Sequence, residues 1–258
     1  MERLRTEQPK GLTRAGIRKW GMMFLILGLF GNCVILNRYL GISGMTSDQL
    51  LQAMNSGSNV MTAVTVALVC KFVEACGVPI FCMLLADGMA HTSNGVKYIT
   101  RILGVAVISE IPYNFAMTGN LLDTSSRNPV FGMVMAAVLL YLYNRFSQRS
   151  MTNLLYKTAF TIAAIFWAAL LRIDSGIICV FITAVFWWFR NKPNIRNLMG
   201  GIAAMVCTLL SIFYMVAPMG MMVLHFYNVE KGEDNRMISY LFYPFALILV
   251  GIVGLLAF

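Results

Sequence analysis

Charged side chains are scarce in this 258-residue chain. Asp, Glu, Lys and Arg together make up 12%, about half the share usual in soluble domains. That deficit argues against an ordinary water-facing fold. Acids are fewest, 11 against 20 Lys and Arg, which leaves a formal charge of +9. No basic stripe with interleaved aromatics accompanies the excess, so nucleic acid is not an expected partner. No CxxC pair occurs among the six cysteines, each of which lies in an apolar run. They read as small buried hydrophobes, and no metal centre is expected. P-loop, GxSxG and HExxH sequences are also missing, which argues against an ATPase, a serine hydrolase and a zinc protease. No small-x-small cleavage site follows the basic N-terminus and first apolar run, residues 20–36. That run reads as an uncleaved span rather than a secretory signal.

What is present is apolar: 59% of the residues, gathered in long uniform runs. One helical span takes roughly 17 to 25 such residues, whereas a transmembrane barrel would show segments of about ten that alternate polar and apolar. The expected fold is therefore all-α, a polytopic transmembrane bundle of about nine spans in the lipid bilayer. The spans read as residues 20–36, 60–90, 99–116, 130–143, 154–171, 176–189, 198–214, 218–227 and 240–257. Residues 1–19 form a basic tail and residues 20–258 the membrane domain. The second run is too long for a simple span, and holds Lys71, Glu74, Gly77 and Pro79. A helix break or steep tilt is expected near residues 77–79, because proline removes a backbone donor and kinks a helix. The eighth run is short, and reads as a span, a re-entrant segment or the end of the seventh. Residues 37–59 form the largest external segment.

Orientation follows from the loops. Sixteen of the Lys and Arg residues fall on the same side as the N-terminus, while Arg38, Arg127 and Arg172 fall on the other. The positive-inside bias places the N-terminus in the cytosol.

Ionisable groups at membrane depth are costly, and so are candidates for function. Lys71 and Glu74 are three apart and can meet on one helix face, as a self-neutralising pair or as part of a site. Asp87 and His91 are four apart, the arrangement in which a carboxylate orients an imidazole base. At a span end the same spacing also suits an ordinary interfacial histidine. Glu110 and Asn114 flank Pro112 in the third span, where a proline-freed backbone requires protein or water beside it. Glu110 reads either as a site residue or as the partner of Arg101 or Lys71. Asp174 reads as a cap for the next helix. Trp167, Trp187 and Trp188 read as interface anchors.

The run VPIFCMLLADGMAHTSN at residues 78–94, continued by RILGVAVISEIPYN at 101–114, resembles the TraX family. NPVF at 128–131, DSGII at 174–178, YN at 227–228 and LFYP at 241–244 extend the resemblance collinearly over roughly residues 15–255. It implies a polytopic protein of the bacterial cytoplasmic membrane, related to acyltransferases that use acyl-CoA. The activity implied is acetyl transfer from cytosolic acetyl-CoA, founded on pilin acetylation in conjugation, with no metal. The acceptor is left open among a peptide, a glycan and a lipid. The catalytic candidates are His91 as base, Asp87 to orient it, and Glu110. The substrate-binding candidates are Asn114, Lys97, Arg101, Lys71 and Glu74, with Lys97 and Arg101 near the CoA phosphates. Three family positions differ. Gly28 and Leu29 fall where the family carries an Asp-His pair, Glu74 and Ala75 replace a Gly-Arg, and Phe245 and Ala246 follow Pro244 where a His is usual. An active acyltransferase, a relative that binds without chemistry and a small transporter component all stay open.

Overall fold

The structure, a computed structural model, describes residues 11–41, 52, 57–146, 148, 150–228 and 236–257. Arg3, Arg5, Lys10, Arg149 and Lys231, which belong to the sixteen cations assigned to the N-terminal side, and most of the 37–59 segment lie outside the described residues. Among the described residues there is no strand. Nine α-helices among the described residues carry the fold: α1 Arg14–Leu29, α2 Ser58–Ala90, α3 Gly95–Thr118, α4 Val130–Arg145, α5 Met151–Leu170, α6 Gly176–Trp188, α7 Pro193–Val206, α8 Gly220–His225 and α9 Arg236–Ala257. The first continues as a π-helix over Phe30–Tyr39, and α8 is preceded by a 3-10 stretch over Ile212–Met219. Among the described residues, four stretches are long and apolar enough to cross a membrane: Arg14–Tyr39, Asn59–Ala90, Met151–Leu170 and Ser239–Leu256. The outer surface is apolar: Val107, Ile108, Leu155, Ile162, Phe166 and Leu249 are each more than half exposed. Such a surface suits lipid rather than water, and the chain is an all-α membrane protein.

Local chemistry sets the helix ends. Thr13 caps α1 by accepting from the Gly16 amide at 3.2 Å, and Asn94 caps α3 by accepting from the Lys97 amide at 2.9 Å. Both side chains satisfy an orphan donor of the first turn. Gly119 ends α3 in the left-handed region at φ 79°.

Small residues on α1 set its register against α2. Gly21 lies on Ile80 and Phe81, Gly28 on Glu74 and Gly31 on Cys70. Without side chains at these positions the two backbones approach closely, as in other membrane helix pairs. This antiparallel register brings Arg14 to Asp87. Arg18 donates to Ser239 at 2.7 Å, so α9 starts at the same end. We call this the basic end. At the opposite end Arg38 donates to the Phe115 carbonyl at 3.4 Å, and its side chain lies against Gly119 and Gly254. The guanidinium thus sits at the C-terminus of α3, where the helix dipole favours a cation.

Three expectations change. Of the break or steep tilt expected at residues 77–79, the break is absent: α2 runs continuously through Pro79. Packing around the proline holds it, since Gly77 lies on Phe24 and the Gly21 carbonyl, and Gly220 sits on the Cys76 carbonyl. The seventh and eighth runs form one hairpin, α7 out and residues 212–225 back. Its ends meet where Asn197 donates to the Leu224 carbonyl at 3.4 Å, and its tip turns on the Cys207 carbonyl, which accepts from the Leu210 and Ser211 amides at 2.9 and 3.1 Å. Trp187 is buried while Trp167 and Trp188 are about half exposed, so it packs in the core with Arg190 stacked on its outer face at 3.9 Å.

The hairpin depends on Gly220, because a Cβ there would overlap the Cys76 backbone oxygen, which cannot rotate aside. Gly220→Ala is expected to destabilise the fold by about 1–3 kcal/mol, the usual cost of overpacking. Melting in detergent reads it, and an unchanged midpoint would mean that the hairpin does not press on α2.

Candidate functional site

The register of α1 on α2 builds a polar node at the basic end. Arg14 forms an ion pair with Asp87, and its Nε faces the Tyr227 hydroxyl at 3.4 Å. That hydroxyl donates to Asp87 Oδ2 at 2.9 Å. Residues 226–228 are drawn in by backbone: the Leu12 amide donates to the Phe226 carbonyl at 2.6 Å and the Asn228 amide to the Leu12 carbonyl at 3.1 Å. Burial, and then the adjoining Asp87 carboxylate, push the Tyr227 hydroxyl above its ordinary pKa against the opposing pull of Arg14. It therefore stays protonated as a donor.

Asp87 and His91 do stack as their spacing suggests. His91 Nδ1 lies 2.8 Å from the Asp87 carbonyl and 3.2 Å from its carboxylate. A ring nitrogen that faces two acceptors carries its hydrogen there, which leaves Nε2 as the acceptor. The His91 side chain is 60% exposed while that of Asp87 is 10% exposed. One carboxylate is therefore buried among Arg14, Tyr227 and His91, and the imidazole stands at the rim.

From this rim a cavity of about 1320 Å³ runs into the bundle. Arg18, His91, Lys97 and Arg101 line its mouth, and Lys71, Glu74 and Asp174 its inner end. Apolar side chains such as Met22, Phe81, Ile102 and Phe242 line the walls between. Lys97 and Arg101 have no ion-pair partner among the described residues, so the mouth is net positive. Lys71 and Glu74 meet at 3.3 Å as their spacing suggests. Asp174 does not cap α6: Ser175 holds the N-cap position, at φ 53°, and makes no side-chain cap bond. Asp174 instead accepts from the Tyr113 hydroxyl at 3.3 Å. Its turn is pinned by Arg127, whose amide donates to the Arg172 carbonyl and whose carbonyl accepts from the Asp174 amide, each at 2.9 Å. Pinning keeps Arg172 and Ser175 in the left-handed region, a strained conformation that surrounding structure must sustain. Tyr243 also lines the cavity, and its buried hydroxyl has no partner among the described residues.

Glu110 is not brought to this cavity. It accepts from Arg127 Nη1 at 3.0 Å, the Asn128 amide at 3.2 Å and Asn128 Nδ2 at 2.6 Å. Its partners are neither Asn114, Arg101 nor Lys71. About 22 Å of helix separates it from the start of α3 at the basic end, by the α-helical rise, so the structure does not join Glu110 to Asp87 and His91. Asn114 is buried on the same helix, at 3% exposure, and does not line the cavity.

The TraX protein family matches residues 37–254. The chain belongs to this family. It is also similar to a probable fimbrial assembly protein, FimC of serogroup H1, from Dichelobacter nodosus, with 26% identity over 198 residues that span 67% of this chain and 78% of that protein. No solved structure matches the chain. In this TraX protein, the space that a side chain at position 28 would occupy is filled by Glu74, which a Cβ on Gly28 would overlap. The departures at Gly28 and at Glu74 are thus one packing event: a carboxylate on α2 fills the gap left on α1. At the third departure, Phe245 points outward at 63% exposure. Sequence reasoning had counted Arg14 only as a basic tail residue and had noted Tyr227 only as part of a motif. Neither carries a local signal, because their partner Asp87 is 73 and 140 residues away.

Proposed function

We propose that this TraX protein is an acyl-CoA-dependent acyltransferase of the bacterial cytoplasmic membrane, with its basic end in the cytosol. The observation that carries the reading is the single cavity joining a cationic mouth to a polar inner end. A basic mouth fits the phosphates of acetyl-CoA, for which Lys97 and Arg101 stand without carboxylate partners. The volume also accommodates its pantetheine arm. The donor supplies an activated thioester carbonyl. His91, with Nδ1 held by Asp87, uses Nε2 to take the proton from the acceptor amine or hydroxyl as the new C–N or C–O bond forms. The C–S bond breaks, and the imidazolium returns that proton to the leaving thiolate. Arg14 and Tyr227 fix Asp87 and thereby the imidazole. The fimbrial relative makes a pilus-subunit peptide the first acceptor to try, ahead of a glycan or a lipid.

A second reading, a TraX protein that binds without chemistry, is favoured by the apolar Gly28 and Leu29. The two readings diverge on one experiment. His91→Ala is expected to lower acetyl-CoA turnover by about a hundredfold, the scale of a general base. Its melting temperature should hold, since the side chain is mostly exposed. Turnover equal to the parent would remove His91 from the mechanism. Failure of the parent protein to bind acetyl-CoA would favour the second reading.

A further inference from the structure

His91 and Asp87 border a second, separate pocket of about 250 Å³ on the other side of α2, against α6 and α7. Its remaining polar lining is Arg190, Asn191 and Arg196, over a floor that includes the fully buried Phe186. Asp87 is the pocket's only acid among the described residues, and it is already engaged by Arg14 and Tyr227. Neither Arg190 nor Arg196 has an ion-pair partner among the described residues. Arg196 spends one donor on the adjoining Asn197 side chain at 3.3 Å. The central carbon of the Arg190 guanidinium lies over the Trp187 ring, 3.9 Å from its centroid, and partial burial lowers its pKa. Two guanidinium groups, ten N–H donors in all by their chemistry, thus face one small concavity with no spare counter-charge.

We propose that this pocket is a phosphate-binding site distinct from the large cavity. Planar guanidinium forks match phosphate oxygens in pairs, which is why arginine is favoured for such recognition. The depth of the site agrees with a membrane surface. Trp188 is exposed beside it, and Lys157 sits over the Trp188 ring at 5.7 Å and over Tyr143 at 6.0 Å. Aromatic side chains with adjoining cations mark the headgroup level of a bilayer. The phosphate is either that of an anionic lipid headgroup or a soluble phosphate. The site does not depend on acyl transfer, although a ligand there would touch the same His91 from behind.

The test uses the full chain in nanodiscs. One arm compares melting in phosphatidylcholine discs with melting in discs containing phosphatidylglycerol. The other titrates inorganic phosphate into phosphatidylcholine discs. Arg190→Gln/Arg196→Gln is expected to weaken the response to one of these probes by at least about tenfold, the scale of a lost charge-assisted hydrogen bond. Arg190→Lys/Arg196→Lys should retain part of it, and Arg145→Gln, an exposed arginine that lines neither cavity, should leave it unchanged. Loss in the phosphatidylglycerol arm identifies a lipid headgroup, and loss in the inorganic phosphate arm a soluble phosphate. The proposal is overturned if neither probe affects the parent, if the glutamine pair matches the parent in both arms, or if Arg145→Gln weakens binding equally.

Discussion

Asp87→Ala is expected to lower the stability of the protein by about 3–5 kcal/mol, the cost of stripping one partner from a buried ion pair. The Asp87 and Arg14 side chains are only 10% and 18% exposed, so solvent cannot compensate the stranded guanidinium. The same change removes the acceptor of the Tyr227 hydroxyl and the carboxylate beside His91. Residues 226–228 and the N-terminal end of α1 should loosen together, because Asp87 ties both to α2. Arg14→Ala should cost less, since it leaves the carboxylate with Tyr227 and His91. The double substitution should fall well short of the sum, as expected for residues in one network. Unfolding of the four proteins in one detergent measures the cycle. Strict additivity would mean that the pair makes no net contribution. Asp87→Asn keeps the shape and should lie between, with any acyl-transfer rate reduced through a misoriented His91.

Glu110→Ala is expected to cost about 2–3 kcal/mol, and the reason is Asn128. That residue is fully buried, and both its amide and its side chain donate to Glu110. A buried donor left without an acceptor costs about 1–3 kcal/mol. The Asn128 side chain keeps one alternative, the Ala106 carbonyl at 2.9 Å, which limits the loss. Arg127 adds little, because its side chain is 42% exposed. Glu110→Gln should be milder yet still destabilising, since its NH₂ must face a donor. Turnover per folded molecule should stay near that of the parent in both variants. A drop of about a hundredfold with unchanged stability would instead mark Glu110 as an acid–base group, and would show that the 127–128 contact is incidental.

The apolar runs by themselves declare the class of fold. The 59% apolar share is gathered in long uniform runs, which select helices over a barrel of short alternating strands as the way to satisfy the backbone in lipid, and the helix ends follow from local caps such as Thr13 and Asn94. Spacing within one helix was equally readable: Lys71 with Glu74, and Asp87 with His91, meet because 3.6 residues per turn leave them no choice. The environment of Pro79 was not readable, because a proline signals a missing hydrogen bond but not the glycines that pack around it. Nor was the fate of Glu110, whose carboxylate could be met by any cation on any neighbouring helix. Tertiary packing chose Arg127 and Asn128, and so moved Glu110 out of the group it had seemed to join. It also set Arg14 and Tyr227 on Asp87 through the glycine register of α1 against α2, a contact between segments 73 and 140 residues apart. Local sequence decides which side chains can meet on one helix. Only the packing of helices on one another decides which charge neutralises which, because that depends on where distant backbones come close enough to exclude water.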